Sequence, residues 1–182
     1  MSAVTIQSAI TSISSSFIPL DVQAGVPSLI PLVTAGLRVS KGIPFLLQSI
    51  NIPAIYAPNH AKELIAVKLQ DKNLRYDNLF VYTEDTRLKF QDIEIEFFRT
   101  THSIPDSHGI SINTPDGRII TTGDYKFDLT PIGPMADLYK MASLGEKGVD
   151  LLIGDSTNAL NEGFSNSESV VDETLGEMFD KC

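Results

Sequence analysis

The chain has 182 residues, 42% of them hydrophobic, and a formal net charge of −9, which is one domain's worth of sequence with enough apolar material for a buried core. That acidic balance excludes a broad polyanion-binding surface, because nucleic acid is held through clustered Lys and Arg that displace counterions, so any nucleic-acid contact has to be local. The single cysteine, Cys182, excludes an internal disulfide framework and fits a reducing, cytoplasmic setting.

Residues 1–37 form a compositional island of Ser, Thr, Ile, Val and Pro in which Asp21 is the only charged side chain. Ile6, Ile10, Ile13 and Phe17 keep helical spacing, yet the Ser and Thr between them are indifferent helix formers. The expectation is a loosely held leader over 1–41, the alternative being an element that covers an open sheet edge. Residues 1–16 lack the basic start and apolar core of a secretory signal. The apolar stretch after them is broken by Asp21, Gln23, Pro19, Pro27 and Pro31, which makes it a poor membrane span.

From Gly42 the texture changes. Pro44 to Ile50 reads as a helix end and Pro53 to Ala57 as a short strand. Pro58 suits the first turn of a helix near 58–70, where Ala61, Leu64, Ile65 and Leu69 make an apolar stripe and His60 is a surface or capping residue. Strands are expected over Asn78 to Thr83, Arg87 to Phe90 and Ile93 to Arg99. In the last of these, Ile93, Ile95 and Phe97 alternate with Glu94, Glu96 and Phe98, which implies one buried face. Gly109 to Asn113 and Arg118 to Thr122 form a hairpin closed by Thr114-Pro-Asp-Gly117. A helix over 135–147, a buried strand over Val149 to Gly154 and a helix over 167–180 complete the order. One mixed sheet, largely formed from Asn78 to Gly154, is expected.

The hairpin delivers Asp124 to the sheet edge that also carries the loop with His102. Imidazole and carboxylate are ligands that suit zinc. A strand-end histidine is nonetheless commonly a structural hydrogen-bonder, and Gly-Asp after a strand is commonly a turn. Useful metal sites need at least three protein ligands, so spacing alone leaves metal binding open.

Four segments narrow the reading. Thr100-Thr-His-Ser-Ile-Pro-Asp-Ser-His-Gly109, Thr122-Gly-Asp-Tyr-Lys-Phe-Asp128, Met141-Ala-Ser-Leu-Gly-Glu-Lys-Gly148 and Gly154-Asp-Ser-Thr-Asn-Ala159 together resemble the ribonuclease J family, in the β-CASP branch of the metallo-β-lactamase superfamily. The resemblance covers roughly Gly42 to Phe179. It implies an α/β fold, a partial αββα sandwich with a mixed, largely antiparallel sheet. It also implies a metallo-β-lactamase domain over 42–164 and the start of a truncated β-CASP region over 165–182. Members are metal-dependent ribonucleases acting in RNA processing and decay, with two zinc ions per complete site. By motif match His102 is a metal ligand, Asp124 a metal ligand that bridges the ions, and Asp155 a carboxylate that handles protons or supports the ligands.

The resemblance also shows what is missing. The family's His-x-His-x-Asp-His motif belongs just before Gly-Ile-Pro-Phe-Leu-Leu, where this chain reads Val33-Thr-Ala-Gly-Leu-Arg-Val-Ser-Lys-Gly42, and the whole chain has 3 histidines, His60, His102 and His108. His108 takes a position that varies in the family and is read as structural. With two ligands the isolated chain is expected to be inactive, a partial ribonuclease J without its RNA clamp. Two other readings stand beside it: a non-catalytic partner forming homo- or hetero-oligomers with a complete ribonuclease J, and a metallo-hydrolase of a small molecule.

Overall fold

The computed structural model describes residues 32–33 and 42–181. The expected leader lies outside the described residues except for Leu32–Val33, which forms strand β1. The remaining strands are β2 (Ile55–Ala57), β3 (Leu79–Val81), β4 (Arg87–Phe90), β5 (Ile93–Arg99), β6 (His108–Thr114), β7 (Gly117–Thr121) and β8 (Leu151–Ile153). Among the described residues four helices accompany them: α1 (Ile43–Ser49), α2 (Asn59–Asp71), α3 (Leu138–Glu146) and α4 (Glu168–Asp180).

The strands form two sheets, in place of the single sheet expected. In the first, β1, β2 and β3 pair in parallel, in that order. Parallel neighbours need a crossover, and α2 supplies it between β2 and β3. This is why the strand near residue 80 joins β2 and not the later strands. The second sheet runs β4-β5-β6-β7-β8. Its first three pairings are antiparallel, as hairpin connections dictate, and β8 returns through α3 to pair with β7 in parallel.

Alternating side chains stack these elements into four layers. On β2, Ile55 and Ala57 face α1 and α2, packing with Ile43, Ile52, Ala61, Ile65 and Leu69, while Tyr56 faces the other way. Between the sheets Val33 and Tyr82 meet Ile95, Phe97, Ile110 and Ile112. Beneath the second sheet Phe98 and Ile120 pack on Leu144 of α3. The order is helices, parallel sheet, antiparallel sheet, helix, and the α/β class with a largely antiparallel mixed sheet is observed.

Strand β5 departs from the one-face expectation, because both of its faces are covered. Glu96 is 6% exposed and is bound by Arg87 at 2.5 Å, Arg118 at 3.1 Å and Lys147 at 3.8 Å. Burial opposes its ionisation, but the Arg87 and Arg118 bonds outweigh it and hold the carboxyl below its usual range. An acidic residue in an alternating strand reads as solvent-facing unless its cations can be placed, and they come from three other elements.

Helix α4 buries no residue; Val170, Val171, Leu175, Met178 and Phe179 are all exposed. It is fastened at its N-terminus, where the Asp128 carboxylate accepts from the Glu168 amide at 2.9 Å and from the Thr130 amide at 3.0 Å. Ser167, the N-cap, accepts from Ser169. The Glu168 amide above all holds the Asp128 carboxyl down from 3.8 to about 2. Its contribution is therefore complete above pH 3.8 and is lost as pH falls through about 2. Asp128→Ala is expected to raise amide exchange throughout α4 at neutral pH while β5 to β7 stay protected, and acidification of the unaltered chain does the same. Unchanged exchange in α4 would show that the helix is held elsewhere.

Candidate functional site

Strand β5 ends at Arg99 and β6 begins at His108, so residues 100–107 form the loop between two paired strands. The Thr100 amide donates to the Ser107 carbonyl at 3.0 Å, closing this loop at its base. The loop after β7 reaches it through a bridge: the Lys126 amide donates to the Thr101 carbonyl at 2.8 Å. A second tie is made of hydroxyls, Thr100 Oγ1 donating to Ser107 Oγ at 3.0 Å and Ser107 Oγ donating to the Asp124 carbonyl at 3.2 Å.

This arrangement brings His102 and Asp124 together, with Nε2 and Oδ2 4.0 Å apart and both side chains about one-third exposed. Tetrahedral zinc sets N and O ligands roughly 3.3 Å apart, so the pair has to close by somewhat less than 1 Å to share an ion. A cleft of about 350 Å³ opens on the His102 side, walled by Ser103, Lys126, Ile132, Pro134 and Glu168 as well as His102. Lys126 pairs with Glu168 and lies 3.5 Å from Asp128. Burial lowers the basicity of this ammonium, but the bond to Glu168 more than reverses that and raises its pKa.

Asp155 stands just past β8. Its Oδ1 accepts from the Thr157 amide at 2.9 Å and from the Thr157 hydroxyl, and its own amide donates to Thr122 Oγ1 at 3.2 Å. The carboxylate is thus engaged on its own loop, and its backbone is tied two residues before Asp124. His60 sits at the start of α2, its amide 3.4 Å from the Asp106 carboxylate. His108 lies at the far end of the loop and is 4% exposed. Ser107, whose hydroxyl joins the two loops, was not among the residues expected at the site. A small hydroxyl residue inside Pro-Asp-Ser-His is ordinary turn chemistry, and nothing local marks it as a link to a loop 17 residues on.

Over 135 residues the chain is 51% identical to Ribonuclease J 1 of Streptococcus pyogenes, an alignment that takes in 74% of this chain and 24% of that protein. The chain is a partial homologue of ribonuclease J. Ribonuclease J of Mycoplasma pneumoniae is 34% identical over 138 residues, covering 75% of this chain and 24% of the relative. Ribonuclease J 2 of Staphylococcus aureus is 36% identical over 144 residues, covering 76% and 25%. The chain thus spans about a quarter of the length of the ribonuclease J relatives it matches. No family model matches it. Among solved structures, a protein of unknown function from Enterococcus faecalis superposes with a TM-score of 0.45 at 16% identity over 64% of this chain and 29% of that one. The metallo-β-lactamase fold protein YhfI from Bacillus subtilis gives 0.39 at 16% identity over 53% and 41%.

The donor set can be tested against the metal that the ribonuclease J resemblance implies. Among the described residues no group of three or more His, Cys, Asp or Glu side chains is placed to hold an ion. Two donors do not make a zinc site of either the four-ligand or the three-ligand-plus-water kind, so the residues present do not fit a complete zinc centre. Among the described residues, too, no helix is long and apolar enough to cross a membrane.

Proposed function

We propose that this chain carries two corners of the RNA-cleaving metal site of a ribonuclease J-type nuclease, with His102 and Asp124 as zinc ligands, and that alone it cleaves no RNA. What supports the reading is the 4.0 Å approach of His102 to Asp124 on loops that a backbone bridge and a hydroxyl pair hold together. A metal-activated water needs an ion that stays bound, and two protein ligands hold one too weakly for that. Residues 42–164 are the metallo-β-lactamase part of this proposal and 165–182 the start of the next region. Asp155, engaged by Thr157, is assigned a supporting place beside the Asp124 loop.

Incubation with 5′-monophosphorylated single-stranded RNA and added zinc or manganese tests it. The expected result is no turnover above a no-protein control, unchanged in His102→Ala. Turnover that disappears in His102→Ala or Asp124→Ala would overturn the inactivity and point to ligands supplied by a second copy of the chain. Zinc retained at one ion per chain after purification would do the same.

A further inference from the structure

His108 takes part in neither the His102–Asp124 pair nor the cleft, yet it is among the most buried polar side chains described. Its Nδ1 lies 2.8 Å from the Asp106 carbonyl. A carbonyl only accepts, so Nδ1 carries a proton, and in the neutral ring Nε2 is left with a lone pair. That Nε2 has no hydrogen-bond partner and stands 3.6 Å from Glu84 Oε2, acceptor against acceptor. Glu84 follows β3 and is paired through its other oxygen with Arg99 at the end of β5.

We propose that His108 is a positioning residue for the candidate site: its Nδ1–H pins the Asp106 carbonyl and so fixes the turn that ends the His102 loop. The turn needs a pin because Asp106 adopts φ 56°, a left-handed conformation that a residue with a Cβ enters at a cost. Next to it, Ser107 receives the Thr100 hydroxyl and passes its own to the Asp124 carbonyl. The pinned carbonyl and the link between the two loops are thus one residue apart.

The groups facing the ring decide which state prevails. Burial disfavours the imidazolium most; the Asp106 carbonyl favours it, while Arg99 and Lys140 of α3 oppose it. Tyr82 meets the ring edge-on at 5.4 Å, and burial pushes its own pKa well above 10.0, so it stays neutral. The balance lowers the histidine's pKa from 6.5. At neutral pH the ring is therefore neutral, with its one N–H committed to the Asp106 carbonyl.

The test is 15N NMR of the imidazole rings with amide exchange of the loop at neutral pH. The His108 ring is expected as the Nδ1–H tautomer. His108→Asn keeps an N–H on the Asp106 carbonyl, so the amides of Ser103 to Ser107 should exchange no faster, whereas His108→Leu should speed them and leave Ile112 and Ile120 unchanged. An Nε2–H tautomer, or loop amides indifferent to His108→Leu, overturns the proposal. The first measurement needs no variant and decides the matter even if both variants unfold. The word site rests on the ribonuclease reading, but that reading fails on RNA turnover and this one on loop order, so the failures are distinguishable.

Discussion

Replacing Phe97 by alanine lowers the free energy of unfolding by about 3–5 kcal/mol, seen as a fall in the urea midpoint at unchanged slope. Phe97 is 0% exposed and lies in the middle layer. Its ring is stacked on Tyr82 at 3.7 Å between centroids, so alanine removes both the buried area and an aromatic contact. The void cannot close readily. Tyr82 is fixed by the hydrogen bond its backbone N–H donates to the Ala57 carbonyl of the parallel sheet, and Ile95, Ile110 and Ile112 are fixed by the antiparallel ladder. Two hydrogen-bonded sheets do not collapse over a missing side chain as a loop would. A loss below about 1 kcal/mol, the range of a tolerant surface position, would mean that the two sheets do not pack face to face.

Gly109→Ala is expected to cost about 1–3 kcal/mol or more through overpacking, although it adds one methyl group. Gly109 is the cross-strand partner of Phe98, and the phenyl ring lies over its Cα, where a Cβ would stand 2.1 Å from Cζ. Phe98 is 3% exposed and is backed by Leu144, so it has no room to swing aside. Its shape makes a double-mutant cycle informative: in a Phe98→Leu background the alanine should be tolerated far better, and the two changes should fail to add. Additive costs would show that ring and glycine do not meet.

The element order was legible because each element carries its own local signal. Arg87 to Phe90 and Ile93 to Arg99 were expected as strands and form with those bounds, and the turn at Gly117 closes the hairpin as its Pro and Gly suggested. The number of sheets was not legible. Leu79 to Val81 has the same apolar texture whichever neighbour it pairs with, and only the crossover through α2 decides. Glu96 misled because alternation reports polarity, while burial depends on Arg87, Arg118 and Lys147 arriving from elsewhere. At the candidate site the motifs identified which residues to look at, and the hairpin explained why His102 and Asp124 share an edge. The role proposed for His108 had no local signature, since the groups that define its state, Glu84, Arg99 and Lys140, are brought from three other places in the chain.

The basic side chains nearest the candidate loops are each met by a carboxylate, Arg99 by Glu84 and Lys126 by Asp128 and Glu168. Seen from a Debye length away, about 8–10 Å at ordinary salt, such pairs are dipoles and not cations. On a chain whose net charge is −9, the field over this surface does not draw a polyanion inward. Diffusional encounter of a polyanion with this surface gains nothing from the electrostatic steering that speeds association by one to three orders of magnitude, roughly 10–10³, at clefts of opposite charge. On the proposed reading, charge at this surface is not what brings RNA to the His102–Asp124 pair.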